Sequence, residues 1–364
     1  MTARIGLDAR KARDFGIGTY TRQLAAAMAA APGAEGFEFV LFVRPGDEGL
    51  FAGLPGNFSI ETEGSRPYSA AELTGFSRRI RAARLDLFHA MHYVLPLALR
   101  TPAVVTIHDL IHLEFPFDGA TPLRYPAARL LIARALSRGR VIITATDTAR
   151  RDLEALSPRH APKIRTVPHG ISPRFHPGIG APEIARTLSA HGIEGDYALF
   201  IGGARPHQNL RRVLEAYSRA ALPGLSLVLA GPMPKDVETL AASQKGVRWI
   251  GVVEDADLPA LYRAAAFVVY PSLAEGFGLP VAEAMACGTP VIASDIPVFG
   301  EVAGDAAFLV DPRDAGAIAR AMRELRSNAS LRALLSARGL ARAKSFSWDD
   351  AAARTLAIYR EALA

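Results

Sequence analysis

A chain of 364 residues exceeds the ~250–300 residues at which a single core stops growing, so two domains are expected. Half of it is apolar and 21% is charged, the balance of a soluble globular protein, and one cysteine, Cys287, excludes an internal disulfide. The surplus charge of +6 lies wholly in the first half: residues 1–172 carry 22 Lys/Arg and 16 Asp/Glu, residues 173–364 carry 20 of each.

The opening MTARIGLDARKARDF lacks the apolar run of a signal peptide. No stretch reaches the ~20 apolar residues of a membrane span, and the expected compartment is the cytoplasm. In chain order, strands are expected at 3–8, 37–43, 85–90, 103–109 and 140–146, with helices at 19–31, 70–84, 123–138 and 147–156. A second series follows a Pro- and Gly-rich segment, VPHGISPRFHPG at 167–178, read as a linker. Its strands are expected at 197–203, 225–231, 247–251, 266–271, 290–294 and 306–311. Its helices are expected at 209–220, 257–264, 280–287, 314–327 and 328–343. Continuous apolar strands separated by helices predict parallel sheets covered on both faces. The expected fold is α/β, with Rossmann-like, doubly wound domains at 1–172 and 173–346 facing a central cleft, where such sheets bind ligands. A last helix, 347–363, opens at Ser347 with Asp349 and Asp350 in its first turn and is expected to pack back on the first domain.

Two arginine-rich, acid-free segments, 78–84 and 124–140, read either as solvated basic faces or as surfaces for an anionic partner such as a membrane. Nucleic acid is set aside, because no aromatic-rich basic face or known binding motif accompanies them. Cys287 reads as a small buried apolar residue.

The most informative segment is PSLAEGFGLPVAEAMACGTP, 271–290. A buried strand ends at Tyr270, and a loop with Gly276 and Gly278 leads into a helix carrying Pro280 in its first turn. Backbone donors at a helix start suit phosphate. Glu275 before the helix and Glu283 one turn inside it are poor phosphate ligands but good hydroxyl acceptors. A nucleotide diphosphate sugar offers hydroxyls at both ends, on its ribose and on its hexose. His108 lies at the carboxyl end of a strand, and Asp109 beside it reads as a loop brace. Arg205 follows a strand and Gly202–Gly203. Gly16-Ile17-Gly18 is not a dinucleotide fingerprint, since Thr21 occupies the third glycine position.

The 275–283 segment resembles the E-x7-E motif of the retaining glycosyltransferases of family four, which have the GT-B fold. The likeness also covers GIGTYTRQL (16–24), DLFHAMHYVLPL (86–97), VVTIHDL (104–110), KIRTVPHGISPRF (163–175), IGGARPHQNL (201–210) and LVLAGP (227–232). Within the family it is most similar to bacterial mannosyltransferases of surface-polysaccharide assembly.

The resemblance implies that Glu275 bonds the transferred hexose and that Gly276, Phe277, Gly278 and Leu279 present backbone groups to hexose and phosphate. Glu283 would hold the ribose, Arg205 the departing diphosphate, and His108 the hexose from the other domain. Gly16, Gly18 and Gly203 would let backbone approach the donor. Gln208 stands where the family places a lysine; it keeps a hydrogen-bond donor and lacks the charge.

The implied reaction is metal-independent retaining transfer of a hexose, mannose from GDP-mannose first, to a glycan or lipid-linked acceptor. UDP-sugars and other GDP-sugars are alternatives. No cofactor or metal is expected, since neither Asp-x-Asp nor zinc spacing occurs in a suitable setting. A nucleotide-sugar sensor or assembly protein, and a GT-B-fold epimerase or phosphorylase, are the competing readings.

Overall fold

The computed structural model describes residues 2–66, 69–115 and 124–364, with side chains from residue 126 in the last stretch. The described residues form two compact units. The first holds residues up to Gly170 together with Ser347–Ala364, and the second holds Ile171–Phe346.

In the first unit the elements run β1 (Ala3–Asp8), α1 (Phe15–Ala30), β2 (Phe37–Val43), β3 (Phe58–Thr62), α2 (Ala70–Thr74), α3 (Phe76–Ala82), β4 (Leu87–Ala90), β5 (Ala103–Thr106), α4 (Ile111–Glu114), α5 (Arg124–Arg138), β6 (Gly139–Thr144), α6 (Asp147–Leu156) and β7 (Ile164–Thr166). The strands pair in parallel in the order β3-β2-β1-β4-β5-β6-β7. Alternate side chains of each strand feed two separate cores. Ile5, Leu7, Phe39, Leu41 and Val104 meet α1 on one face, while Val40, Phe42, Phe88 and Val105 meet α3 and α5 on the other. This two-sided burial is why the strands read as unbroken apolar runs.

The second unit runs α7 (Ala181–Ala190), β8 (Asp196–Ile201), α8 (Leu210–Ala220), β9 (Leu225–Ala230), α9 (Lys235–Ala242), β10 (Val247–Trp249), α10 (Leu258–Ala264), β11 (Phe267–Tyr270), α11 (Leu279–Ala286), β12 (Val291–Ser294), α12 (Pro297–Val302), β13 (Phe308–Val310), α13 (Ala315–Ser327) and α14 (Ala329–Ala343). Its parallel order is β10-β9-β8-β11-β12-β13. Both sheets therefore contain the doubly wound 3-2-1-4-5-6 order, with the topological switch between β1 and β4 in one and between β8 and β11 in the other.

The last helix, α15 (Trp348–Leu363), belongs to the first unit. The Ser347 hydroxyl caps it, accepting from the N–H groups of Asp349 at 3.1 Å and Asp350 at 3.4 Å. Its Tyr359 hydroxyl bonds His89 Nδ1 at 2.6 Å, and His89 Nε2 meets Thr106 Oγ1 at 2.8 Å. One imidazole thus ties α15 to β4 and β5.

Several expectations need correction. The helix expected over 70–84 is two helices that change at Gly75, where a Cβ would lie 2.8 Å from the Ala71 carbonyl oxygen. The first helix starts at Phe15 rather than 19, so Gly16 and Gly18 are helical residues and not loop. β3, β7, α4, α7, α9 and α12 had no counterpart among the expected elements. Residue 123, expected to start a helix, lies outside the described residues, as does the Arg124 side chain.

Candidate active site

The site residues of the second unit gather at the carboxyl ends of β8 and β11, the two strands that flank its switch point. After β8 the chain turns through Gly202 (φ +153°), Gly203 and a single 3-10 turn, Pro206–Gln208. Gly231, at the end of β9, packs so closely that a Cβ there would lie 2.1 Å from the Gly202 carbonyl oxygen. Arg205 heads the 3-10 turn and is exposed.

The loops after β8 and β11 are stitched together. The N–H of Leu273 donates to the His207 carbonyl at 2.6 Å. Asn209, buried and left-handed at φ +63°, donates through Nδ2 to the Pro271 and Pro312 carbonyls at 2.8 and 2.7 Å. A buried amide placed between two carbonyls satisfies both and fixes the spacing of the loops.

Glu275 stands on this frame. Its Oε1 accepts from the Tyr270 hydroxyl at 2.9 Å and the Ser272 hydroxyl at 2.9 Å. Gly278 then caps α11 at φ +86°, where a Cβ would come within 2.4 Å of Phe299 Cε1. Only glycine fits both the conformation and the space. In the first turn of α11 the N–H groups of Val281 and Ala282 donate to the Gly278 carbonyl at 3.0 and 3.3 Å, Pro280 has none to offer, and the Leu279 N–H is left without an intrahelical partner. Phe277 is buried, its ring edge-on to Phe346 at 5.2 Å. Beyond it, Val281 through Ala286 are all buried, and Glu283 among them is 8% exposed. Tyr262 donates to Glu283 Oε2 at 3.0 Å. Burial pushes the Glu283 carboxyl up to about 7. Cys287 is fully buried, its thiol pushed up to about 12 by desolvation.

Gln208 lies against the Tyr270 hydroxyl and beside Gly202, its Nε2 2.8 Å from where a Gly202 Cβ would be. Its Oε1 is buried without a hydrogen-bond partner among the described residues. The residue in the lysine position is thus part of the wall around Glu275. Arg211, on α8, pairs with Asp236 on α9.

In the first unit, His108 follows β5 and its Nε2 lies 3.0 Å from the Met91 carbonyl. A carbonyl can only accept, so Nε2 carries the proton and Nδ1 is a lone pair. Burial lowers its pKa to about 4, which keeps the ring neutral near pH 7. Tyr20 meets it edge-on at 4.9 Å, and His169 lies 5.4 Å away, stacked in turn on Trp348 at 5.8 Å. Asp109 Oδ1 accepts from the Ile111 N–H at 2.9 Å and braces the loop.

Gly16 has open space where a Cβ would go, whereas a Cβ on Gly18 would lie 2.5 Å from the Ala12 carbonyl oxygen. Gly18 is thus required by its own chain, through the turn that follows β1.

Sequence reasoning passed over Arg10. It chelates Asp8 (Nε–Oδ1 2.8 Å, Nη2–Oδ2 2.7 Å), donates to Glu72 at 2.9 Å and lies 4.0 Å over the Phe76 ring, 4% exposed. The available signal was Asp-x-Arg directly after a strand. Among the described residues no group of His, Cys, Asp and Glu could hold a metal ion, and no helix is long and apolar enough to cross a membrane.

Comparison with known proteins places this geometry. The family model described as Glycosyl transferases group 1 matches residues 188–342, and the one described as Glycosyltransferase Family 4 matches residues 16–175. The chain is 34% identical over 288 residues to O-antigen chain mannosyltransferase B of Escherichia coli, covering 75% of this chain and 74% of that one. It is 30% identical over 290 residues to the D-inositol 3-phosphate glycosyltransferase of Salinispora arenicola, covering 72% of this chain and 64% of that one. The solved structure of Anabaena HepE in complex with UDP and glucose aligns at TM-score 0.77 and 16% identity, over 99% of this chain and 100% of the other. WaaG, a glycosyltransferase involved in lipopolysaccharide biosynthesis, aligns at 0.76 and 17%, over 97% and 99%. These structural likenesses establish the fold, two Rossmann-like domains of the GT-B class.

Proposed function

This chain belongs to glycosyltransferase family 4, and we propose that it moves a hexose, with retention of configuration and without a metal, from a nucleotide diphosphate sugar to a glycan or lipid-linked acceptor of polysaccharide assembly. The observation that carries the reading is the convergence of Glu275, the start of α11 and Glu283 at the switch point of one sheet. Hydroxyl acceptors there flank a helix start suited to phosphate. Mannose from GDP-mannose is the favoured donor, by the likeness to the Escherichia coli mannosyltransferase.

Glu275, held by Tyr270 and Ser272, accepts from the hexose, and Glu283 accepts from the ribose. Backbone of Gly203, Gly276, Phe277, Gly278 and Leu279 meets the diphosphate and the hexose. As the bond from the anomeric carbon to the phosphate oxygen breaks, Arg205 and the positive N-terminal end of α11 stabilise the charge that grows on the diphosphate. The acceptor hydroxyl forms the new bond on the same face and gives its proton to the departing phosphate oxygen. Gln208 supplies no charge, so the cationic share falls to Arg205. His108 contributes a neutral Nδ1 acceptor for a hexose hydroxyl.

A thermal-shift panel of GDP-mannose, other GDP-sugars and UDP-sugars tests donor binding, since a ligand of the native state raises the melting temperature by mass action. Nucleotide release in the presence of acceptor then separates a transferase from a sensor. No stabilisation by any nucleotide sugar would sink the proposal, and activity lost to EDTA and restored by a divalent ion would sink its metal-independent part. The Salinispora arenicola relative supports a second acceptor class, a phosphorylated polyol. An acceptor panel decides between the two.

Contact of the first unit with an anionic membrane surface accompanies this reading. Arg78 and Arg81 on α3 and Arg129 on α5 are exposed, with Leu130 and Leu97 exposed beside α5. Arg134 is not free for headgroups: its guanidinium donates to the Pro96 and Leu97 carbonyls, as Arg138 does to Leu99. Unchanged binding to anionic liposomes after Arg81→Gln with Arg129→Gln and Leu130→Ser would remove the membrane from the proposal.

A further inference from the structure

Glu283 sits on a helix whose other residues are apolar, and burial there disfavours its charged form. The groups around it come from four places in the second unit. The Tyr262 hydroxyl, on α10, donates to Oε2 at 3.0 Å. Arg174, in the first residues of the unit, acts on the carboxyl as a cation and pairs with Asp255 at 3.6 Å. Asp255, ahead of α10, acts in the opposite sense. Cys287, one turn further along α11, is a neutral thiol. Tyr262 and Arg174 therefore favour the ionised carboxylate, while burial and Asp255 oppose it. Among the described residues no hydrogen bond reaches Oε1.

Tyr262 is itself held firmly. It is fully buried, and the ring of Phe175 packs edge-on to it at 5.8 Å. Its carbonyl accepts from the Thr289 hydroxyl at 2.6 Å and the Ala265 N–H at 3.2 Å. The tyrosine is thus pinned by the segment that follows α11, and its hydroxyl is aimed at a side chain within α11. Glu275 is served in the same way by Tyr270. A tyrosine from an earlier element of the same unit holds each of the two carboxylates.

We propose that Tyr262 is a positioning residue for the nucleotide ribose: its hydroxyl occupies Oε2 of Glu283, favours the ionised carboxylate and leaves Oε1 to accept from a ribose hydroxyl. This rests on the reading of Glu283 as the ribose ligand. The linkage has a definite sign. Ionised Glu283 is the better hydroxyl acceptor, so nucleotide binding strengthens as pH rises through the carboxyl's midpoint near 7. Tyr262 lowers that midpoint, so removing its hydroxyl moves the acid limb of binding to higher pH.

The test uses the full chain with GDP and UDP as probes, titrated calorimetrically between pH 6 and 9. For the wild-type protein, a single protonation near 7 predicts about tenfold weaker binding at pH 6 than at pH 8. In Tyr262→Phe, which keeps the ring against Phe175, the midpoint moves up by half a unit or more. Affinity at pH 9 stays within about threefold of wild type, and in turnover the donor KM near pH 7 rises while kcat holds. A role limited to packing would lower affinity equally at every pH, and that result overturns the proposal, as does an unchanged midpoint or a wild-type affinity that ignores pH.

If neither nucleotide binds the wild-type chain at any pH, it is the donor-site reading that fails. The carboxyl resonance of Glu283 in the nucleotide-free chain, followed by carbon NMR, then judges the pair by itself, and the same midpoint in Tyr262→Phe overturns it. Should that variant fail to fold, site-specific 3-fluorotyrosine at 262 provides a stronger donor of the same shape. It must move the Glu283 midpoint down, and a fixed midpoint refutes the inference.

Discussion

The switch points of the two sheets share one topology and end in opposite chemistry. In the second unit the strands flanking the switch give way to glycines, with carboxylates held by tyrosine and serine hydroxyls. In the first, β1, β4 and β5 end in a buried ion triad and a set of histidines. Burial keeps those rings neutral: His89 falls to about 3, His108 to about 4, and His92 and His169 lie well below their ordinary value. The shared strand order makes a crevice at each switch point. One crevice ends in glycines and hydroxyl-held carboxylates, the other in rings and paired charge. The fold determines where a site lies, and the residues at the strand ends determine what it can hold.

The largest test of this contrast is the ion triad. Arg10→Met leaves Asp8 and Glu72 buried with no cation between them, and breaking a buried pair typically costs ~3–5 kcal/mol. Urea unfolding followed by a probe in the first unit should show that loss. A loss under ~1 kcal/mol would mean that the triad is not what closes this crevice.

Next comes Arg205. With Gln208 uncharged, Arg205→Ala should lower kcat ~10²–10³-fold, the usual cost of one transition-state donor. Gln208→Lys should raise kcat, by about tenfold if it adds ~1.4 kcal/mol of leaving-group stabilisation. An Arg205→Ala enzyme with unchanged kcat would shift that whole task to the start of α11.

The two units should also respond to pH with opposite sign. His89 and His108 have folded pKa values of about 3 and about 4, below the ordinary 6.5. Their unfolded forms bind protons first, so the first unit loses stability as pH falls from 6.5 toward 4. The slope approaches ~1.4 kcal/mol per pH unit for each ring. Glu283 is raised from 4.5 to about 7, so its contribution is fully present below 4.5 and is lost as pH rises to 7. Denaturant melts at pH 5 and pH 7, with one probe in each unit, check both signs. Parallel shifts in the two units would break the contrast.

Much of the second unit's crevice was legible in the chain. The run ending at Tyr270, two glycines, Pro280 and two glutamates specify a strand end, a turn and a helix start by local rules. The strands of both sheets showed because burial on two faces leaves continuous apolar runs. What failed to show depends on partners distant in sequence. IRT at β7 is too short for a periodic signal, and FSIET at β3 is half exposed at a sheet edge. Tyr262 reads as core packing, because nothing local says that its hydroxyl meets a glutamate on the next helix. The neutrality of His89 and His108 follows from burial that no spacing encodes. The start of α1 was hidden because Asp14 makes no side-chain cap bond and two glycines follow it closely.

Those two glycines provide the finest test. The family resemblance assigns both Gly16 and Gly18 to close approach of the donor phosphates, but the structure separates them. Gly18→Ala would drive a Cβ to 2.5 Å from the Ala12 carbonyl oxygen, so the turn after β1 must shift, at ~1–3 kcal/mol of stability. Any fall in its activity would follow from that shift. Gly16 is exposed, helical and open where its Cβ would go, so alanine there should stabilise by ~0.5–1 kcal/mol. The melting temperature of Gly16→Ala should therefore rise slightly, and the donor role that the resemblance assigns to Gly16 predicts a several-fold higher donor KM. A rise in stability with an unchanged KM would leave Gly16 as no more than the first turn of a helix.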